Sequence, residues 1–141
     1  MKKISLCILC LTGILFTSCD KDNTTFEGPF ELKVNESINL PGNNAGMQLK
    51  VESINDARCP YNAFCISAGN AIVKIKMTDN SGAFADSELC IGSCGTKINH
   101  QDTTTIKINN ISYSVILEKV NPYPEAGKKQ VKTALISLKK Y

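Results

Sequence analysis

Residues 103–120 read TTTIKINNISYSVILEKV. Two alternating runs flank Asn109-Asn110, and alternation with a period of two marks strands with one buried face. Asparagine tolerates positive φ better than most residues, so Asn109-Asn110 suits a two-residue hairpin turn. A two-residue turn also sets the register: Ile108 should face Ile111, and Ile106 should face Tyr113. Tyr113, Val115 and Leu117 then continue one face.

Outward from this hairpin the same period recurs. In NAIVKIKM (70–77), Ala71, Val73, Ile75 and Met77 point one way, with Lys74 and Lys76 the other. In MQLKVESI (47–54), Met47, Leu49 and Val51 alternate. FELKV (30–34) places Phe30, Leu32 and Val34 on one face, Asn35-Glu36 is a turn, and SINL (37–40) is a short strand. PGNNAG (41–46) is a loop, and Asp79 to Gly82 carries turn chemistry. Residues 83–102 hold no decisive pattern. NPYPEAGKK (121–129) is a proline-bound connection, and VKTALISLKKY (131–141) is the last strand.

No convincing helix, repeat or low-complexity tract interrupts the pattern. Seven or eight short strands over roughly 115 residues predict an all-β domain, an antiparallel sandwich or small barrel. Tryptophan is absent, which leaves a modest core that cross-links would reinforce.

The N-terminus is of another kind. Lys2 and Lys3 precede an uncharged apolar run from Ile4 to Phe16. That is short of the roughly 20 residues a spanning helix needs, and it fits a signal-peptide core. Phe16-Thr17-Ser18-Cys19 resembles the lipobox of bacterial lipoproteins, with Phe16 where leucine is usual. The resemblance implies cleavage before Cys19, whose sulfur then carries lipid; several acyl chains hold a protein firmly on a membrane where one holds it marginally. The alternatives are an ordinary cleaved secretory signal or an uncleaved anchor. The expected organisation is signal peptide 1–18, lipidated cysteine and polar tether 19–28, and β-domain 29–141. Cys19 followed at once by Asp20-Lys21-Asp22 also resembles the export signal of surface lipoproteins in Bacteroidota-like bacteria. In enterobacteria an Asp at that place instead favours the inner membrane. The expectation here is the outer membrane.

Charge excludes one class of partner. Of the 16 basic residues Lys2 and Lys3 leave with the signal, so 14 face 13 acidic ones. Arg58 is the single arginine, and a nucleic-acid footprint would need clustered Lys and Arg on one face. Lys139 and Lys140 are expected on a solvated strand edge.

Of seven cysteines, Cys7 and Cys10 lie in the signal and Cys19 takes lipid. Cys59, Cys65, Cys90 and Cys94 remain. An even number in an exported domain implies disulfides. C-x5-C and C-x3-C both close short local loops, so the expected pairs are Cys59–Cys65 and Cys90–Cys94. A crossed pairing needs the two loops to be neighbours in space. Zinc prefers closer, matched spacings. Redox centres of the thioredoxin kind need C-x-x-C at a helix start. Neither pattern is present, and no cofactor or metal is expected.

DARCPYNAFCISAGNAIVKI (56–75) resembles a pattern in small exported bacterial proteins: Asp-Ser-Arg-Cys-Pro, four residues, Cys-x-Trp-Ala-Gly, then a strand. Those proteins tend to carry Pro-Tyr-Pro before the last strand, as Pro122-Tyr123-Pro124 does here. Asp56, Arg58, Cys59, Pro60, Cys65, Ala68 and Gly69 fit; Ala57 replaces Ser, and Ser67 replaces a Trp that would be a large apolar anchor. Cys90 and Cys94 are an addition to the pattern. The resemblance implies an exported β-domain with a Cys59–Cys65 bridge and no established activity. Within the motif, Pro60 presets the loop and Gly69 permits a tight turn into the next strand. Asp56 and Arg58 share a face if extended, and either pair, cap loop backbone or sit solvated.

Catalytic chemistry is not flagged. His100, the one histidine, lies in a polar loop without a partnered nucleophile. Asp79, Asn80, Asp86 and Glu88 lack the order of a calcium loop. Glu118 and Glu125 form no persuasive acid–base pair. The candidate recognition loop contains Arg58, Tyr61 and Phe64, because loops on rigid β scaffolds often carry binding; the alternative packs Tyr61 and Phe64 on a sheet edge. The expected function is a non-enzymatic, lipid-anchored envelope domain with a structural or binding role. Its partners are the membrane, through its N-terminal lipid, and an envelope protein or small ligand. The alternatives are a secreted ligand- or protease-binding module using the Cys59–Cys65 loop, and a redox or metal-binding envelope protein.

Overall fold

The computed structural model describes residues 26–40 and 46–140, so Cys19 and the expected signal and tether up to residue 25 lie outside the described residues. The described chain is all-β. Its strands are β1 (Phe26–Lys33), β2 (Ser37–Asn39), β3 (Gln48–Asp56), β4 (Asn70–Thr78), β5 (Phe84–Cys94), β6 (Lys97–Asn99), β7 (Asp102–Ile108), β8 (Ile111–Asn121) and β9 (Thr133–Lys140). They form two antiparallel sheets, β1-β9-β8-β7 and β2-β3-β4-β5-β6, disposed as a sandwich.

Among the described strands only β1 and β9 are sheet neighbours without being sequence neighbours. The order therefore runs as a meander through one sheet, passes to the other and returns to β1. The corner after β6 is tied by Asp102, whose Oδ2 accepts from the Cys90 backbone N–H at 2.7 Å. Beside it the Ser87 hydroxyl donates to Thr104 Oγ1 at 3.0 Å. Both bonds join β5 of one sheet to β7 of the other.

The hairpin has the expected register: Ile108 pairs with Ile111 and Ile106 with Tyr113. Asn109 and Asn110 adopt φ of 49° and 63°, the positive pair a primed turn requires. The core lies between the sheets, with Leu49, Val51, Val73, Ile75, Met77, Leu89, Tyr113, Leu117 and Ile136 among its buried residues. Burying each such side chain contributes about 1.5–3 kcal/mol relative to exposure.

Four local expectations need correction. Residues 83–102, without a decisive pattern, form β5, β6 and the start of β7, because β5 turns only Leu89 and Ile91 fully inward and its start is polar or exposed. This raises the strand number to nine among the described residues. Val34 lies beyond the end of β1 and is exposed, while Leu32 is buried. Lys139 and Lys140 are not on an edge strand, because β9 runs between β1 and β8. Finally, β1 begins at Phe26, ahead of the expected domain start at 29.

Candidate functional site

Strand direction divides the loops between two poles. One pole carries the start of β1, the β4–β5 turn and the Asn109-Asn110 turn. There the Asp79 carboxylate accepts from the Ser81 and Ala83 backbone N–H groups at 2.9 and 2.8 Å, and from the Asn109 side-chain amide. The Ser81 hydroxyl bond, joined by that amide and the backbone donors, outweighs desolvation and holds Asp79 below the usual carboxylate range. Asp79 is thus a turn-former. Glu88 pairs with Lys74 directly across β4–β5 at 2.8 Å.

The opposite pole gathers the segment between β3 and β4, the β5–β6 hairpin and the segment between β8 and β9. The first contains the sequence motif. It leaves the sheet as a narrow arm, with Ala57 N–H on Asn70 O and Cys59 N–H on Ala68 O, both at 2.8 Å. The Cys59–Cys65 disulfide closes its tip with Cα atoms 5.9 Å apart. Gly69 ends the arm at φ +67°. A Cβ there would lie 2.0 Å from Ala57 O, so only glycine fits.

The second cross-link depends on another glycine. Residues four apart in an extended strand are about 13 Å apart. Cys90 and Cys94 have Cα atoms 6.0 Å apart and are bonded. Gly92, at φ +94° between them, folds the end of β5 back on itself. The Ser93 N–H then donates to Gly69 O at 2.9 Å, and Asn70 Nδ2 donates to Ser93 O at 3.1 Å. The two disulfide loops are therefore spatial neighbours, and the bonds are nevertheless the two local ones.

Beneath the arm lies an ion cluster. Arg58 grips Asp56 with both ends of one edge, Nε to Oδ1 at 2.7 Å and Nη2 to Oδ2 at 2.8 Å. Nη2 also donates to Val120 O at 2.7 Å. Lys132 Nζ lies 3.1 Å from Asp56 Oδ2 and donates to Pro122 O at 2.6 Å. The Arg58 guanidinium carbon sits 4.5 Å from the Tyr123 ring centroid, a cation–π distance. The side chains are only 10% (Arg58), 2% (Asp56) and 16% (Lys132) exposed. Burial opposes ionisation of Asp56, but the Arg58 and Lys132 hydrogen bonds and the Arg58 charge outweigh it, so its carboxyl is held below the usual range. The solvated alternative for this pair is overturned.

The arm is also tied to the β8–β9 segment. Tyr61 N–H donates to Pro124 O at 3.2 Å, and Ala126 N–H to Asn62 Oδ1 at 2.8 Å. A hydrogen bond to Glu125 raises the Tyr61 phenol above its ordinary value. The arm's aromatics do not pack on the sheet edge: Tyr61 is mostly exposed, and Phe64 is fully exposed. Ile66 is fully exposed as well, an apolar neighbour that the sequence reading passed over. Arg58, grouped with Tyr61 and Phe64 from sequence, faces the interior instead.

A cleft of about 220 Å³ opens beside the cluster. Arg58 and Tyr123 line one side, and Ile98, Asn99 and His100 line another. Sequence gave no signal for this grouping, because its members come from three separate segments. Among the described residues no group of three or more His, Cys, Asp or Glu side chains converges as a metal site would require.

Opening the Cys59–Cys65 tip should be mild for the fold. In the loop-entropy account so short a loop contributes about 2 kcal/mol. We expect the Cys59→Ser/Cys65→Ser double variant to fold, with its unfolding free energy from urea denaturation lowered by that amount. Thiol titration of the unfolded parent without reductant should find neither this pair nor Cys90–Cys94 free.

Comparison with protein-family models, curated proteins and solved structures finds no match to this chain.

Proposed function

We propose that this chain is a non-enzymatic binding domain of the bacterial cell envelope. It is anchored by lipid on Cys19, in the outer membrane, and engages an envelope partner through the arm that carries Tyr61, Phe64 and Ile66. The observation that carries this reading is the full exposure of Phe64 and Ile66 on a closed and tethered loop. Large apolar groups presented to water on a preordered segment lose little entropy on binding. The arm is bonded to its neighbours at Gly69, Tyr61 and Asn62, so it is preordered.

Orientation supports the same reading. The chain enters β1 at Phe26, on the pole opposite the arm. An anchor preceding Phe26 therefore leaves the arm on the far side of the domain from the point of attachment.

Two measurements test it. Cells fed an alkyne-tagged fatty acid should label the parent chain and not Cys19→Ala; equal labelling of both sinks the anchor. Cross-linking in envelopes should capture a partner that the Tyr61→Ala/Phe64→Ala variant loses. If that variant keeps every partner at parental yield, the arm is not the recognition surface. A partner captured equally by an unlipidated, secreted form would move the reading to the secreted module.

A further inference from the structure

The Arg58 side chain is nine-tenths buried, yet only part of its donor set is used. Nε and Nη2 bond Asp56 and Val120 O. The two N–H donors of Nη1 have no partner among the described residues. Buried polar groups are almost always hydrogen-bonded, to protein or to water, so the unmatched pair on this cation is donor capacity that a ligand can take up in place of water. Arg58 also lines the cleft, so a ligand there can reach it.

We propose that this cleft binds a small monocarboxylate with an apolar body. The charge of the cluster selects the anion: Arg58 and Lys132 face the single carboxylate of Asp56, leaving a surplus of one positive charge. That surplus suits a monoanion and not a dianionic phosphate. The donor geometry agrees. Asp56 occupies the fork edge of the guanidinium, and Nη1 is left for one carboxylate oxygen. Ser93, Asn99 and His100, which also line the cleft, are the polar side chains available for the second. Ile91, Ile98 and the Tyr123 ring supply apolar walls for the rest. The volume, about 220 Å³, falls below the usual range for drug-sized ligands. It fits a short branched acid or the last residue of a peptide, which present the same carboxylate on the same kind of body. Neither Cys19 nor Phe64 takes part, so this site stands or falls apart from the anchor and from the exposed tip of the arm.

The test uses the full chain purified in mild detergent, followed by amide NMR during titration. Isovalerate, isovaleramide, and acetyl-Gly-Gly-Leu with a free or amidated C-terminus are the probes. The two acids should shift the amides of Ser93 and of residues 98–100, and the two amides should bind at least about tenfold more weakly, as expected when a charge-assisted bond is lost. A tighter peptide acid identifies a chain terminus as the source; a tighter isovalerate identifies a free acid. Arg58→Lys should weaken the acids by a similar factor. Because that change also touches Asp56, Ile98→Trp is the second variant: it alters an exposed rim residue and should block the acids while leaving the fold intact. Phe64→Ala should bind as the parent does. Equal affinity for acid and amide, unweakened binding by Ile98→Trp, or no binding by any probe overturns the proposal.

Discussion

Asp56→Asn is expected to destabilise the folded chain by about 3 kcal/mol, toward the lower end of the cost of breaking a buried ion pair. The carboxylate is 2% exposed and answers two cations at once. Removing its charge leaves Arg58 and Lys132 buried beside each other without an anion. Lys132, at 16% exposure, can recover some hydration by rotating outward, so the cost stays near the low end. Stability against urea at neutral pH measures it, and a loss under about 1 kcal/mol would mean that the cluster behaves like an exposed pair.

The same residue carries a pH signature. Its pKa in the folded chain is below the value of 3.8 it takes when unperturbed. Above pH 3.8 both folded and unfolded chains hold the charge, and the full contribution is present. As pH falls below 3.8 the unfolded chain binds its proton first, so stability declines, and the contribution is gone once pH has passed the folded value. Asp56→Asn should lack this part of the acid slope. A variant whose acid unfolding parallels the parent's would show that Asp56 is not its source.

Gly69→Ala is expected to cost more than about 3 kcal/mol and to prevent accumulation of folded protein, for two reasons acting together. Its φ of +67° is one that residues with a Cβ rarely adopt. The added methyl would also meet Ala57 O at 2.0 Å and Ala57 C at 2.9 Å, backbone atoms that cannot swing away. Gly82 isolates the first effect. It has φ +84° with nothing within 4 Å of a built Cβ. Gly82→Ala should therefore cost only about 1 kcal/mol, the conformational term alone. Equal midpoints for the two variants would refute the steric account.

Where one face of a strand is buried and the other wet, the pattern could be read directly. Residues 70–77 and 47–51 place the expected side chains inward, and the Asn109-Asn110 turn gives the expected register. A period of two and a two-residue turn are local properties, fixed within a few bonds. Reading failed where the backbone breaks its own period. The bulge at Glu118, between Leu117 and Lys119, shifts the phase of β8 and brings Val120 inward instead of Lys119. In β5 the cause differs: it keeps its alternation and its register with β4 as far as Gly92, but its first half turns no large apolar side chain fully inward, so residues 83–102 carried no clear period.

The local disulfides follow from spacing, because two cysteines a few residues apart meet more readily than two from distant loops. The ion cluster does not. Sequence placed Asp56 beside Arg58, but Lys132, Tyr123 and Val120 O come from the far end of the chain. Strand alternation and turn chemistry were written in short-range covalent terms, and the amino acids alone settled them; the local disulfides were the expected pairs, but the structure decided between them and a crossed pairing. Which pole holds the arm, how Arg58 comes to lie buried with donors to spare, and which segments wall the cleft depend on packing one sheet against the other. Those contacts join residues far apart in sequence, and no local pattern encodes them.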